Sequence, residues 1–162
     1  MAPRNHNLRI WTWALAGTLL LLLPAGSAGA QSGLDLDLRA GVYSDTSESF
    51  VGAGFLGQVG NTRWFYNPNL EWVFVDRGDL FTVNVDFHYD VTSRGETDFW
   101  VGGGPAVIVR KPERRDGETD FGINLLAGIG FLSRHEVRPY IQGKLLFSDD
   151  TEAVLAFGIR LF

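Results

Sequence analysis

The sequence predicts an all-β fold: eight antiparallel strands in an up-and-down β-barrel, preceded by a cleaved signal peptide. Three observations carry that reading. Period-two alternation of apolar and polar residues runs through nearly all of residues 31–162, and no segment there keeps a helical period. Turn signals rich in Gly, Asp, Asn and Ser interrupt the alternation at short spacing. A basic head, an apolar stretch and a small-residue cleavage site stand in front of it.

The elements follow in chain order. Arg4 and Arg9 flank His6, Ile10 to Leu23 form the apolar core, Pro24 ends it, and Ala28-Gly29-Ala30 is an A-x-A cleavage site. That core is too short to span a bilayer as a helix. Residues 1–30 are read as a signal peptide and residues 31–162 as one barrel domain. Strands are expected near 34–43, 50–59, 63–75, 80–91, 98–110, 119–132, 137–148 and 152–162. The turns between them are Ser44-Asp45-Thr46, Gly60-Asn61, Asp76-Arg77-Gly78-Asp79, Ser93-Arg94-Gly95, Arg115-Asp116-Gly117, Ser133-Arg134-His135 and Ser148-Asp149-Asp150. Connections this short make each strand antiparallel to the next.

Composition narrows the functional classes. A chain of 162 residues is one domain's worth, and a mean hydropathy of +0.01 excludes a bundle of membrane helices. With no Cys, a disulfide framework and a cysteine zinc site are both excluded. The net charge of −5, with no basic run longer than two residues, argues against nucleic acid as a partner.

Sorting each strand by face gives 44 positions without a charge on one side, from Leu34, Leu36 and Leu38 in the first strand to Phe157, Ile159 and Leu161 in the last. The other side carries Asp35, Asp37, Arg39, Asn67, Asn69, Glu71, Thr82, Asn84, Asp86, His88, Asp90, Arg110, Asp120, Asn124, Gln142, Lys144, Glu152 and Arg160. In the fifth strand Trp100 and Ile108 compete with Phe99 and Val107 for the apolar frame.

Alternation alone does not say which face looks inward, but three arguments put the apolar face outside. Eight strands close around an interior just wide enough for side chains. The polar face holds nine glycines (41, 52, 54, 102, 104, 122, 128, 130 and 158) against three on the apolar face, and small residues suit the crowded concave side. The aromatics form two levels. With the N-terminus in the periplasm, Trp64, Tyr66, Phe87, Tyr89, Phe99 and Phe131 gather at the periplasmic level. Trp72, Phe74, Phe81, Phe121 and Phe147 gather at the outer one, and two such belts match two membrane–water interfaces. Strands of about 10 to 13 residues exceed the usual soluble length and suit a bilayer crossing. The barrel is therefore read as transmembrane.

At this point the chain resembles the small eight-stranded outer-membrane barrels, the OmpA/OmpX type. The resemblance covers residues 31–162 and rests on the signal, the eight alternating strands and the terminal Phe162. The register Phe162, Arg160, Gly158 is one residue out of phase with the apolar register Leu161, Ile159, Phe157, Leu155. The resemblance implies the outer membrane of a Gram-negative-type bacterium. It implies as partners outer-membrane lipid including lipopolysaccharide, and periplasmic chaperones and the barrel-assembly machinery during biogenesis.

The polar residues suggest filling rather than chemistry. Arg39, Glu71, Asp86 and Lys144 fall near mid-barrel, and His88 and Arg160 nearer the periplasmic end; all are candidates for a lumenal ion-pair cluster, because a buried charge is costly unless paired. His88 between Asp86 and Asp90 could be half of an acid–base pair, but no Ser or Thr stands as its partner, so no catalytic residue is expected. Asp116, Glu118 and Asp120 offer too few oxygens for calcium. Arg110, Lys111, Arg114 and Arg115 could meet lipopolysaccharide phosphates at the outer rim. The expectation is a monomeric, non-enzymatic envelope component with a filled lumen, without cofactor or metal. The alternatives are a narrow pore and a soluble periplasmic barrel of lipocalin type, which would need the apolar face inside.

Overall fold

Eight strands, each hydrogen-bonded to the next and the last to the first, close a single antiparallel barrel in the computed structural model. The structure describes residues 33–45, 47–92, 97–111, 117–131 and 137–161. The strands are β1 (Asp35–Tyr43), β2 (Ser49–Gln58), β3 (Trp64–Val73), β4 (Asp79–Asp90), β5 (Thr97–Lys111), β6 (Glu118–Phe131), β7 (Val137–Phe147) and β8 (Thr151–Leu161). Each begins and ends within two residues of the bounds that the alternation predicts. The signal-peptide reading of residues 1–30 and the terminal Phe162 lie outside the described residues.

The register fixes the stagger of the barrel. Paired residues traced one way from Ala40 pass Val51, Trp72, Phe81 and Val109 to Thr119 on β6. Traced the other way they pass Phe157 and Ile141 to Ile129, ten residues further along the same strand. A barrel with that stagger has strongly tilted strands, which close a narrow bore. Two prolines interrupt the ladder locally. Pairing lapses at Phe55–Leu56 opposite Asn67–Pro68, and at Val85–Asp86 opposite Gly104–Pro105, because proline has no N–H to give. Asn67 Nδ2 donates to the Phe55 carbonyl at 2.9 Å and takes the place of the missing donor.

The apolar face points outward. Trp72, Phe87 and Ile123 are all exposed, the last by 61%. Asp37, Asn67, Asn84, Asp86 and Asn124 are fully buried inside. That orientation is the reverse of what a lipocalin-like barrel needs. Phe99 and Val101 face out while Trp100 and Ile108 face in, which fixes the frame of β5.

Glycine makes the bore passable for large rings. Phe50 pairs across strands with Gly41, Trp100 with Gly128 and Tyr140 with Gly158. A Cβ on Gly128 would stand 2.3 Å from the Trp100 ring, and one on Gly158 2.3 Å from the Tyr140 ring. Each inward aromatic thus lies flat over a bare stretch of the neighbouring strand, as aromatic–glycine pairs do in sheets. Elsewhere, Gly60 and Gly78 adopt positive φ in the turns after β2 and β3, a conformation that costs glycine little.

Candidate functional site: the filled lumen

The inward side chains stack in layers along the bore. At the end where β1 finishes, Tyr43, Phe50, Val73, Ala106, Ile108, Leu146, Val154 and Ala156 form an apolar plug, with Val75 and Leu80 packed against it. These residues sit on the face that otherwise reads as polar. Their grouping comes from the stagger of the strands, which no single strand displays.

Beneath the plug lies Glu71, and four donors converge on it. Lys144 Nζ approaches Oε1 at 2.9 Å and Oε2 at 2.7 Å. The Tyr43 hydroxyl donates to Oε2 at 2.9 Å and the Thr82 hydroxyl at 3.0 Å, while Arg39 Nη1 lies 3.7 Å from Oε1. Glu71, Arg39 and Lys144 are all buried, so this carboxylate is paired and hydrogen-bonded as a buried charge must be.

Arg39 links this centre to a second one at Asp37. Its Nη2 lies 3.1 Å from Asp37 Oδ2 and donates to Asn67 Oδ1, and its Nε donates to Asp37 Oδ1 at 3.2 Å. Tyr140 donates its hydroxyl proton to Asp37 Oδ1 at 2.6 Å, and Arg160 Nε stands 3.5 Å from Oδ2. The Arg160 guanidinium is held against aromatic rings, 4.3 Å from the Trp100 centroid and 4.7 Å from that of Tyr140.

Asp86 is satisfied differently. Asn69 Nδ2 donates to its Oδ2 at 3.0 Å and Asn124 Nδ2 to its Oδ1 at 2.9 Å. Asn84 bridges the same two asparagines, donating to Asn69 Oδ1 at 3.0 Å and accepting from Asn124 at 2.9 Å. Among the described residues the buried acids Asp37, Glu71 and Asp86 thus stand against the buried cations Arg39 and Lys144, with the partly buried Arg160 beside Asp37.

The structure thus joins Arg39, Glu71 and Lys144 directly, brings Arg160 to Asp37, and ties Asp86 in through amides. His88 stands apart. Its ring stacks on Trp100 at 6.0 Å and 10° between planes, and the oxygens of Asp86 are held by asparagines rather than by the imidazole. Among the described residues no carboxylate is hydrogen-bonded to the imidazole. Asp37 is the ion-pair member that the sequence reading did not single out, although it lies two residues from Arg39 on the same face.

At the end where β1 begins, the bore opens into a cavity of about 240 Å³ whose wall includes Asp35, Asp90, Asp98, Arg138 and Arg160. Among the described residues, no group of three or more His, Cys, Asp or Glu is placed to hold a metal ion. At the opposite rim Arg110 pairs with Asp120. Arg114, Arg115 and Asp116 lie outside the described residues.

Outside, Trp64, Tyr66, Phe87, Tyr89, Phe99 and Phe131 lie toward the end where β1 begins, and Trp72, Phe74, Phe81, Phe121 and Phe147 toward the other. All are exposed or half-buried. Trp64 meets Tyr89 edge-on at 5.1 Å, and Trp72 stacks on Phe81 at 5.9 Å.

An apolar exterior around a charged, filled bore defines the class: this is the fold of the small eight-stranded outer-membrane barrels. The N-terminal β-barrel domain of Pseudomonas aeruginosa OprF matches with a TM-score of 0.68 at 10% identity, over 79% of this chain and 95% of that one. Neisserial surface protein A matches with a TM-score of 0.65 at 10% identity, over 80% and 97%. The attachment invasion locus protein Ail of Yersinia pestis, solved with the heparin analogue sucrose octasulfate, matches with a TM-score of 0.57 at 11% identity, over 79% and 97%. No protein-family profile matches the chain, and no curated protein matches it in sequence. What these structures share with it is the fold.

Proposed function

We propose that this chain is a monomeric, non-enzymatic barrel of the outer membrane whose role is structural and whose lumen does not conduct. The observation that carries this reading is the pairing of an exposed apolar exterior with twelve buried polar or charged residues inside. Water outside would leave the apolar band uncompensated, whereas acyl chains solvate it, and closure leaves no strand edge unpaired in hydrocarbon. The two aromatic levels then lie at the two interfaces. After secretion through the signal peptide the end where β1 begins faces the periplasm, and the plugged end faces outward. Chaperones and the barrel-assembly machinery serve it in transit. Lipopolysaccharide contacts the outer rim, where Arg110 and Lys111 stand.

The pore reading requires a path past both the ion network and the apolar plug. Buried residues of β1, β2, β3, β5, β7 and β8 form the plugged end, with the partly buried Leu80 of β4 packed against them, so an ion would meet an apolar layer there. Cell fractionation and planar-bilayer recording test the proposal. It expects the protein in the outer-membrane fraction, with heat-modifiable gel mobility and no conductance steps. Recovery of the folded protein in the soluble periplasmic fraction, or discrete steps above background, would contradict it.

A further inference from the structure

Arg63 ends the turn between β2 and β3, and its side chain is exposed. The guanidinium carbon lies 5.2 Å from the centroid of Tyr89, and Nη2 donates to the Val91 carbonyl. These two contacts hold the cation at the edge of the outward aromatic group. Tyr89 is paired across strands with Trp64, whose exposed ring meets it edge-on. Among the described residues no carboxylate comes within ion-pair distance of Arg63. A guanidinium carries five N–H donors, and the bond to Val91 uses one of them. The result is an oriented positive charge with no counter-ion among the described residues, beside two amphipathic rings on the apolar face.

We propose that Arg63, Trp64 and Tyr89 form a binding site for the phosphodiester headgroup of a phospholipid in the leaflet at the N-terminal end of the barrel. The site rests on the membrane reading above. A planar guanidinium fork matches phosphate oxygens two at a time, and fixing it over a ring lowers the conformational freedom lost on binding. Trp and Tyr sit at headgroup depth with their apolar bodies toward the acyl chains, which places the phosphate beside Arg63. An acyl chain alone would give that charge nothing to bind.

Native mass spectrometry of the full mature protein, released from a non-ionic, phosphate-free detergent, tests the site. Phosphatidylglycerol and a diacylglycerol of the same chains serve as probes, with inorganic phosphate as competitor and Arg63→Gln and Arg63→Lys as variants. Heat-modifiable mobility checks that each variant folds. The wild type should retain phosphatidylglycerol about five- to tenfold better than Arg63→Gln, the scale of one hydrogen bond's net contribution. Arg63→Lys should fall between them, and diacylglycerol should be retained equally by all three. Equal retention of phosphatidylglycerol by wild type and Arg63→Gln would overturn the site while leaving the membrane reading intact. So would an equal loss of diacylglycerol in the variant, since the phosphate would then play no part. Abolition of the difference by inorganic phosphate would assign the cation to free anion and overturn the lipid. A protein that binds neither probe and dissolves without detergent would overturn the membrane reading and this site with it.

Discussion

At the end where β1 finishes, the bore is packed by Phe50, Val73, Ile108, Leu146 and Val154. Beneath that plug and toward the end where β1 begins, the bore is filled by Glu71, Lys144, Asp37, Arg160, Tyr140 and Trp100. The first group needs only shape, because apolar atoms ask for no specific partner. The second depends on its partners, because a buried charge or amide left unpaired costs more than its bond returned. One lumen therefore holds two kinds of filling, and they should fail in different ways when truncated.

The largest effect is expected where the charges meet. Glu71→Ala leaves Lys144 and Arg39 without the carboxylate they share, and should destabilise the barrel by about 3–5 kcal/mol in urea titrations on vesicles. Replacing Lys144 by Met in the same chain should recover part of that loss, since the orphaned cation is what costs. In the plug, Leu146→Ala should cost about 2–4 kcal/mol through the cavity it leaves, and no second charge substitution should rescue it. A smaller loss, about 1–3 kcal/mol, is expected for Gly158→Ala. Its methyl group would push the Tyr140 ring and pull its hydroxyl from Asp37, and Tyr140→Phe in the same background should then add little. If Glu71→Ala and Leu146→Ala cost the same and neither responds to a second substitution, the distinction between the two halves is lost.

Much of the fold was legible because a half-buried strand writes its faces into alternate residues. Leu125 and Val85 declare the outside, and Asn124 and Asp86 the inside, from local sequence alone. The inward glycines also declared which face was crowded. What stayed hidden depends on residues far apart in the chain. Trp100 could be read either way until Gly128 was seen opposite it. The partners of Asp37 lie on β7 and β8 as well as at Arg39, so proximity in sequence could have pointed to only one of three. Phe50, Val73 and Leu146 lie on the polar face, and only the ten-residue stagger gathers them at one end. The lumenal ion pairs could be anticipated by residue type, but not the asparagine bridge that holds Asp86 apart from His88.

The central claim is that the apolar face touches acyl chains. The sequence has no cysteine, so a single spin label can be placed at Leu125, mid-strand on the outer face, and another in the turn at Asp149. In vesicles, collision rates with oxygen, which concentrates in hydrocarbon, and with a water-soluble nickel chelate read the surroundings of each label. The label at Leu125 should favour oxygen and be shielded from nickel, with the reverse at Asp149. Free access of the nickel chelate to Leu125 in the folded protein would contradict the account.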